Sequence, residues 1–226
     1  GYFDILLVGA GGSGGSRASW DGGGGGGGAG GLVYHYANVY MSAGDYTVTV
    51  GSIGSGTASS IVGGSINYSA AAGGNGQNGV DFKGGNGGSN AWYSGGLGSD
   101  YGEIPARHGG GGGGAGAAGN GHNAYRTDYG HGNEYGDAPG GPGVYSSITG
   151  TNEYYAYGGT GGRGWNAGDA AHNGGPGAPG YVIIRYCIKI GTTTFSLVSF
   201  NSDGYTLSVN HSNSDNICKA YIWAIG

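Results

Sequence analysis

The chain has 226 residues, a formal net charge of −5, 9% charged residues and 62 glycines. A length of this order holds one large all-β domain, or one domain with a small appendix. The mild acidity lacks the basic footprint of a nucleic-acid binder, and no apolar run approaches the roughly 18 residues that a transmembrane helix needs.

No secretory signal peptide is visible and position 1 is not Met, so the sequence is expected to be a processed protein or a fragment of something longer. Helix formers are scarce, with a single Met, whereas Tyr reaches 19 residues. Tyr and Thr beside Gly point to strands and loops.

In chain order, the first predicted element is a strand over Tyr2–Val8, followed by a Gly-rich stretch from Gly9 to Gly31. Leu32–Met41 is apolar and aromatic and reads as a strand. Asp45–Val50 alternates as a half-buried strand does, and Ser59–Tyr68 is a further strand candidate. From Ala70 to about Gly180 the chain is almost all Gly, Asn, Ala, Ser and Tyr. A structureless loop of that size inside an ordered domain would be abnormal. Tyr181–Ile190 returns to a strong strand, and its Tyr181–Tyr186 part is expected to pair with Tyr2–Val8. The tail, Gly191–Gly226, offers strands at Thr194–Phe200, Tyr205–Val209 and Cys218–Ile225, with Asp203-Gly204 as a turn signal.

The glycines fall in rows spaced by three: Gly22, Gly25, Gly28 and Gly31; Gly73, Gly76 and Gly79; Gly110, Gly113, Gly116 and Gly119; Gly158, Gly161 and Gly164; Gly174, Gly177 and Gly180. A threefold extended helix has about three residues per turn, so each row would form a bare backbone stripe. Two such stripes can approach closely enough to exchange backbone hydrogen bonds. Ordering Gly is costly in chain entropy, so a chain this rich in it is either disordered or packed by its backbone. The low charge and the apolar runs between Gly blocks oppose disorder. Collagen would need an unbroken repeat and abundant Pro, and there are 5 Pro here.

Several familiar patterns lose their meaning in this context. Gly9-Ala10-Gly11-Gly12-Ser13-Gly14 follows a strand as a dinucleotide fingerprint would, but the glycine run Gly22–Gly28 beyond it cannot start a helix at reasonable cost. Gly11-Gly12-Ser13-Gly14-Gly15 fits a nucleophile elbow without the α/β sheet that the elbow requires. His35, His108, His122, His131, His172 and His211 form no metal-type spacing, although His122, Asp128 and His131 could converge by folding. Asn67-Tyr68-Ser69 and Asn210-His211-Ser212 are glycosylation sequons of the kind a chain rich in Asn and Ser shows by chance. Cys187 and Cys218 would pair only if their strands are neighbours, and a free buried thiol is an equal reading.

Aromatic residues are the most suggestive surface chemistry. Trp92, Tyr93 and Tyr101 interrupt one Gly region and Tyr125, Tyr129 and Tyr135 the next; Tyr145, Tyr154, Tyr155, Tyr157 and Trp165 follow. Tyr among small polar residues is the composition of adaptable binding loops. Flat rings stack on sugars and polar neighbours bond hydroxyls; the competing reading packs these rings over glycines that lack side chains. The candidate binding residues are Trp92, Tyr93, Tyr101, Tyr125, Tyr129, Tyr135, Tyr154, Tyr155, Tyr157 and Trp165.

The order of elements is itself familiar: an opening strand ending Val8-Gly9-Ala10-Gly11-Gly12, a poly-Gly run, Gly44-Asp45-Tyr46-Thr47-Val48-Thr49-Val50-Gly51, a Gly/Asn-rich middle, and Pro179-Gly180-Tyr181-Val182-Ile183-Ile184-Arg185-Tyr186. This resembles the Gly-rich domain of phage tail fibres and of related bacterial and prophage surface proteins, over residues 1 to about 186. Asp45–Gly51 and Gly177–Tyr186 are its specific elements, and Ala220–Gly226 resembles the closing strand of tail-fibre tips. The resemblance implies a jelly-roll or tumour-necrosis-factor-like β-sandwich with an inserted polyglycine II bundle, trimeric association, and receptor binding at a fibre tip. The same architecture resembles ligand-binding domains of some animal receptor kinases, so fold does not fix function. The chain departs from the family in continuing past its Gly-rich unit, with either a second tip module or a strand-donating segment.

The expectation is therefore an all-β, jelly-roll-like sandwich with inserted polyglycine II helices over 1–190, and a small C-terminal β module or subunit-linking segment over 191–226. The expected function is non-enzymatic: a phage tail-fibre adhesin, extracellular on the virion, binding a bacterial glycan or outer-membrane protein. It would act as a homo-oligomer, with no cofactor, metal, nucleic acid or membrane insertion. The alternative is a structural subunit of an extracellular microbial fibre, trimer or filament, assembled through its terminal strands.

Overall fold

The computed structural model describes residues 1–17, 25–80, 83–99, 111–124, 138–162, 173–188, 193–201, 204–211 and 217–223. Among these residues there is no helix, and the strands are β1 (Tyr2–Val8), β2 (Val33–Tyr40), β3 (Gly44–Thr49), β4 (Ser59–Gly63), β5 (Ile66–Ala70), β6 (Val144–Ser146), β7 (Glu153–Tyr155), β8 (Tyr181–Ile188), β9 (Thr193–Asn201), β10 (Gly204–His211) and β11 (Ile217–Trp223). The all-β expectation holds. One sheet runs β11-β8-β1-β2, a second runs β5-β4-β3-β10-β9, and β6-β7 form a separate hairpin. The three strands expected in the tail form, and each joins one of the two large sheets.

Strand β1 explains the layering. It pairs antiparallel with β8 in unbroken register from Phe3↔Tyr186 to Val8↔Tyr181, as its apolar run and that of Tyr181–Tyr186 predict. Its alternate residues point to opposite faces, and both faces are covered. Phe3, Ile5 and Leu7 meet Tyr46, Val48, Ile61 and Ile66 of the second sheet in one core, whereas Leu6 and Val8 join Ile148, Tyr155, Ala156 and Ile183 in another. Burying residues of this size contributes about 1.5–3 kcal/mol apiece. The Tyr36 and Tyr68 rings stack at 4.0 Å and 5°, linking edge strand β2 to edge strand β5.

Two local features shape the sheets. Ser59–Tyr68, one candidate strand in sequence, is the hairpin β4–β5, closed by Gly64-Ser65 between the paired Gly63 and Ile66. Gly64 has a φ of 53°, in keeping with glycine at the first position of a two-residue hairpin loop. On β2, the register with β1 shifts between Phe3 and Ile5, and Asn38 adopts a φ of 57° at that bulge. The Asp4 carboxylate accepts the Asn38 N–H at 2.9 Å and pairs with Arg185, its cross-strand neighbour, at 2.5 Å. Burial pushes the Asp4 carboxyl up, but the Asn38 and Arg185 hydrogen bonds prevail and hold it below the ordinary carboxylate range.

The Gly-rich segments pack as a bundle of extended chains. N–H groups of Gly9, Gly12 and Gly15 donate to the carbonyls of Leu32, Ala29 and Gly26 at 2.8–2.9 Å. Gly26, Ala29 and Leu32 donate in turn to Gln77, Gly74 and Ala71. Between them, Gly27 and Gly30 donate to Gly112 and Ala115, and Gly28 to Gly175. The direction of donation thus repeats every three residues. Segment 25–32 also accepts from Gly15, Gly88, Gly159 and Gly162, so six neighbouring segments surround it. Segment 111–118 occupies a second central position, bonded to 25–32, 83–90, 93–99, 119–124, 138–143 and 156–162. Residues 25–33 and 111–117 are buried throughout. Backbone hydrogen bonding replaces the side-chain core.

The rows of glycine mark the lines of closest approach. A Cβ on Gly25, Gly28 or Gly31 would overlap the carbonyls of Gly15, Gly12 and Gly9, all on one neighbour. The same holds for Gly73 and Gly76 against Ala29 and Gly26, and for Gly158 and Gly161 against Gly114 and Gly111. Ala10, Ala29, Ala115 and Ala117 are buried in the same bundle, at positions between such lines.

Candidate binding site

Asparagine side chains complete the outer rim of the bundle. Asn75 and Asn78 accept the N–H groups of Ser13 and Ser16, each at 2.8 Å. Asn120 and Asn123 accept those of Ser94 and Leu97, and Asn86 that of Gly98, at 2.8–2.9 Å. Asn90 accepts from Trp92 and Tyr93 while donating to the carbonyls of Gly30 and Gly116. The Gly9–Gly15 run is equally committed, since Gly9, Gly11, Gly12 and Gly15 all donate to bundle carbonyls. No N–H array there remains to cradle a phosphate.

The hairpin β6–β7 carries the clearest display of tyrosine. Its pairs are Val144↔Tyr155, Tyr145↔Tyr154 and Ser146↔Glu153. Ile148, in the connecting loop, is 2% exposed and anchors that loop in the second core. Tyr155 is 5% exposed, lies edge-on to Tyr181 with centroids 5.5 Å apart, and donates its hydroxyl to Glu153 at 2.8 Å. Glu153 also accepts from the Thr151 hydroxyl at 3.0 Å. Burial, then the Glu153 hydrogen bond, pushes the Tyr155 hydroxyl well above the ordinary tyrosine range, so it remains a donor.

Beyond β7, Ala156 takes a φ of 59°. A strictly extended chain would send Tyr154 and Tyr157 to opposite faces. The turn at Ala156 brings both out together, with ring centroids 6.4 Å apart, and Tyr145 joins Tyr154 edge-on at 5.4 Å. All three are about half exposed, at 47%, 57% and 47% for Tyr145, Tyr154 and Tyr157. Beside them lies an open groove of about 460 Å³, lined by Glu153, Tyr154, Tyr155, Tyr157, Pro179 and Tyr181 among others. Such a site offers flat ring faces, a carboxylate and phenolic hydroxyls.

The sequence candidates divide accordingly. Tyr154 and Tyr157 stand at this site. Tyr155 lines its floor, but its ring belongs to the core and seats the hairpin. Trp92 is exposed in the turn between segments 83–90 and 93–99, where it meets Tyr34 edge-on at 5.5 Å, and Tyr93 beside it is half-buried. These rings form a second group. Tyr101, Tyr125, Tyr129, Tyr135 and Trp165 lie outside the described residues, as do His108, Asp128, His131 and His172. Tyr181, Pro179 and Glu153 were not among the candidates; the first two sit within the closing motif, where Tyr181 reads as the start of a strand. A shallower groove of about 580 Å³ at Ser94, Leu97 and Asn120–Asn123 is bordered by asparagines already bonded to the backbone. Among the described residues no three His, Cys, Asp or Glu side chains converge to hold a metal ion, and no helix is long and apolar enough to cross a membrane.

No match was found among curated proteins or among solved structures. Residues 1–187 match the glycine-rich domain family, a span running from β1 through the bundle to β8. The chain belongs to the glycine-rich domain family.

Proposed function

We propose that the chain is a non-enzymatic receptor-binding domain of a phage tail fibre, recognising a bacterial surface glycan or outer-membrane protein through its exposed tyrosines. The observation that carries this reading is the Tyr145, Tyr154 and Tyr157 cluster beside the groove. Two of the three half-exposed rings sit on a hairpin that Ile148 and Tyr155 anchor in the second core, and Tyr157 follows two residues beyond it. Rings presented on a rigid support lose little entropy on binding, and their faces suit the apolar faces of sugar rings. In this reading the Gly-rich segments are polyglycine II helices, supported by the three-residue repeat in their hydrogen bonds, and they form the stiff body that carries the hairpin. The protein acts outside the cell as part of an oligomeric virion fibre.

Binding of the purified chain to arrayed bacterial surface glycans and to intact bacteria tests the proposal. Saturable binding to a defined glycan or cell type supports it. Failure to bind any, together with long filaments of regular repeat in negative-stain micrographs, would favour a structural fibre subunit instead. That alternative calls for a terminal strand without a partner in its own chain, whereas β1 lies between β2 and β8, and β11 pairs with β8.

A further inference from the structure

The chain contains 2 cysteines, Cys187 and Cys218. The ladder between β8 and β11 runs antiparallel through consecutive pairs, from Ile217↔Ile188 to Trp223↔Val182, and its second pair is Cys218↔Cys187. Directly opposed residues of an antiparallel pair share one face of the sheet, with Cα atoms about 4.5–5.5 Å apart. That spacing falls within the roughly 4.4–6.8 Å that a disulfide spans. A shift of one residue would place the two cysteines on opposite faces, and the register shows no such shift. Val182, Ile184 and Tyr186 of β8 belong to the sandwich core, so Cys187 holds an alternate register position, in line with Ile183 and Arg185.

We infer that Cys187 and Cys218 form an intrachain disulfide that fastens β11 to β8. The bond closes a loop containing β9 and β10, the two strands that the tail contributes to the second sheet. It therefore ties the tail to both layers of the sandwich. It also keeps the outer edge of β8 covered; an uncovered edge offers unpaired N–H and C=O groups to other chains. Formation needs an external oxidant, here a low-molecular-weight disulfide. Two cysteine S–H bonds and the external S–S bond break, the Cys187–Cys218 bond forms, and the external disulfide leaves as two thiols carrying the two protons and two electrons.

The test uses the full chain equilibrated in a glutathione buffer rich in the oxidised form, then denatured and treated with iodoacetamide without reductant. Intact mass should show no alkylated cysteine, and a non-reducing digest should yield one peptide pair joined through Cys187 and Cys218. Two alkylated cysteines, or disulfide-linked dimers, would overturn the inference. Reduction should lower the melting temperature by roughly 5–10 °C, the loss expected for opening a loop of this size in a chain of this length. A Cys187→Ser/Cys218→Ser variant should melt with the reduced parent and ignore reductant. An equal melting temperature for the oxidised and reduced parent would contradict the clamp.

Discussion

Tyr154 and Tyr157 emerge on the same side of the molecule, their rings 6.4 Å apart, because Ala156 between them adopts a φ of 59°. The left-handed conformation costs a non-glycine residue about 1 kcal/mol, and the fully buried Ala156 carbonyl is held by the Ala117 N–H at 3.0 Å. Ala156→Gly should fold with stability within about 1 kcal/mol of the parent, since glycine accepts this φ at an entropic cost. Ala156→Val should lose roughly 3 kcal/mol through a strained backbone and an overpacked core. Denaturant midpoints of the two variants give the comparison; equal midpoints would contradict the conformation.

Backbone packing in the bundle predicts a sharp dependence on which glycine is replaced. A Cβ on Gly113 would overlap the Pro139 carbonyl, and one on Gly161 that of Gly111. Gly113→Val and Gly161→Val should each cost more than about 3 kcal/mol or prevent folding. Gly119→Ala meets only the Pro142 ring, at 3.1 Å, and should cost about 1 kcal/mol or less. Similar melting temperatures for all three would rule out the close approach.

The Asp4–Arg185 pair should be visible in the acid limb of stability. The folded Asp4 carboxyl titrates below its unfolded value of about 3.9. Its contribution is therefore whole above about pH 4 and is lost as pH falls through the folded value. Asp4→Asn should cost about 1 kcal/mol at neutral pH, the pair being partly exposed, and the difference from the parent should shrink below pH ~4. A difference that stays constant into acid would assign the effect to packing instead.

The asparagine rim makes a subtler prediction. Asn75→Ala and Asn78→Ala leave the N–H groups of Ser13 and Ser16 to water, and each should cost about 0.5–1 kcal/mol. Hydrogen exchange at Ser13 and Ser16 should accelerate while that at the buried Gly28 and Gly30 does not. Unchanged exchange at Ser13 and Ser16 would show that these side chains are not the partners.

Much of this architecture was legible in the chain. The apolar runs Tyr2–Val8 and Tyr181–Tyr186 announced the central pair of one sheet, and the alternation at Tyr46 and Val48 announced β3. The glycine rows at Gly25, Gly28 and Gly31 and at Gly158 and Gly161 announced the contact lines of the bundle, because a period of three needs no knowledge of the partner. What stayed hidden depended on partners remote in sequence. Asn75 and Asn78 bond groups 62 residues away, so their spacing alone reads as polar loop. Strands β6 and β7 are 3 residues each, too short to show a period. Tyr155 looked like its neighbours Tyr154 and Tyr157; strand alternation separates its buried ring from Tyr154, and the turn at Ala156 returns Tyr157 to the exposed side.

The most direct test is a binding titration of Tyr154→Ala/Tyr157→Ala against the glycan or cell type that the parent binds, with the melting temperature of both proteins. Both rings are about half exposed, so the fold should survive, with melting within about 2 °C of the parent. Affinity should fall at least about 100-fold, as removal of two central aromatic anchors costs in an interface. Unchanged affinity in a variant that melts like the parent would contradict the central claim that these tyrosines are the binding surface.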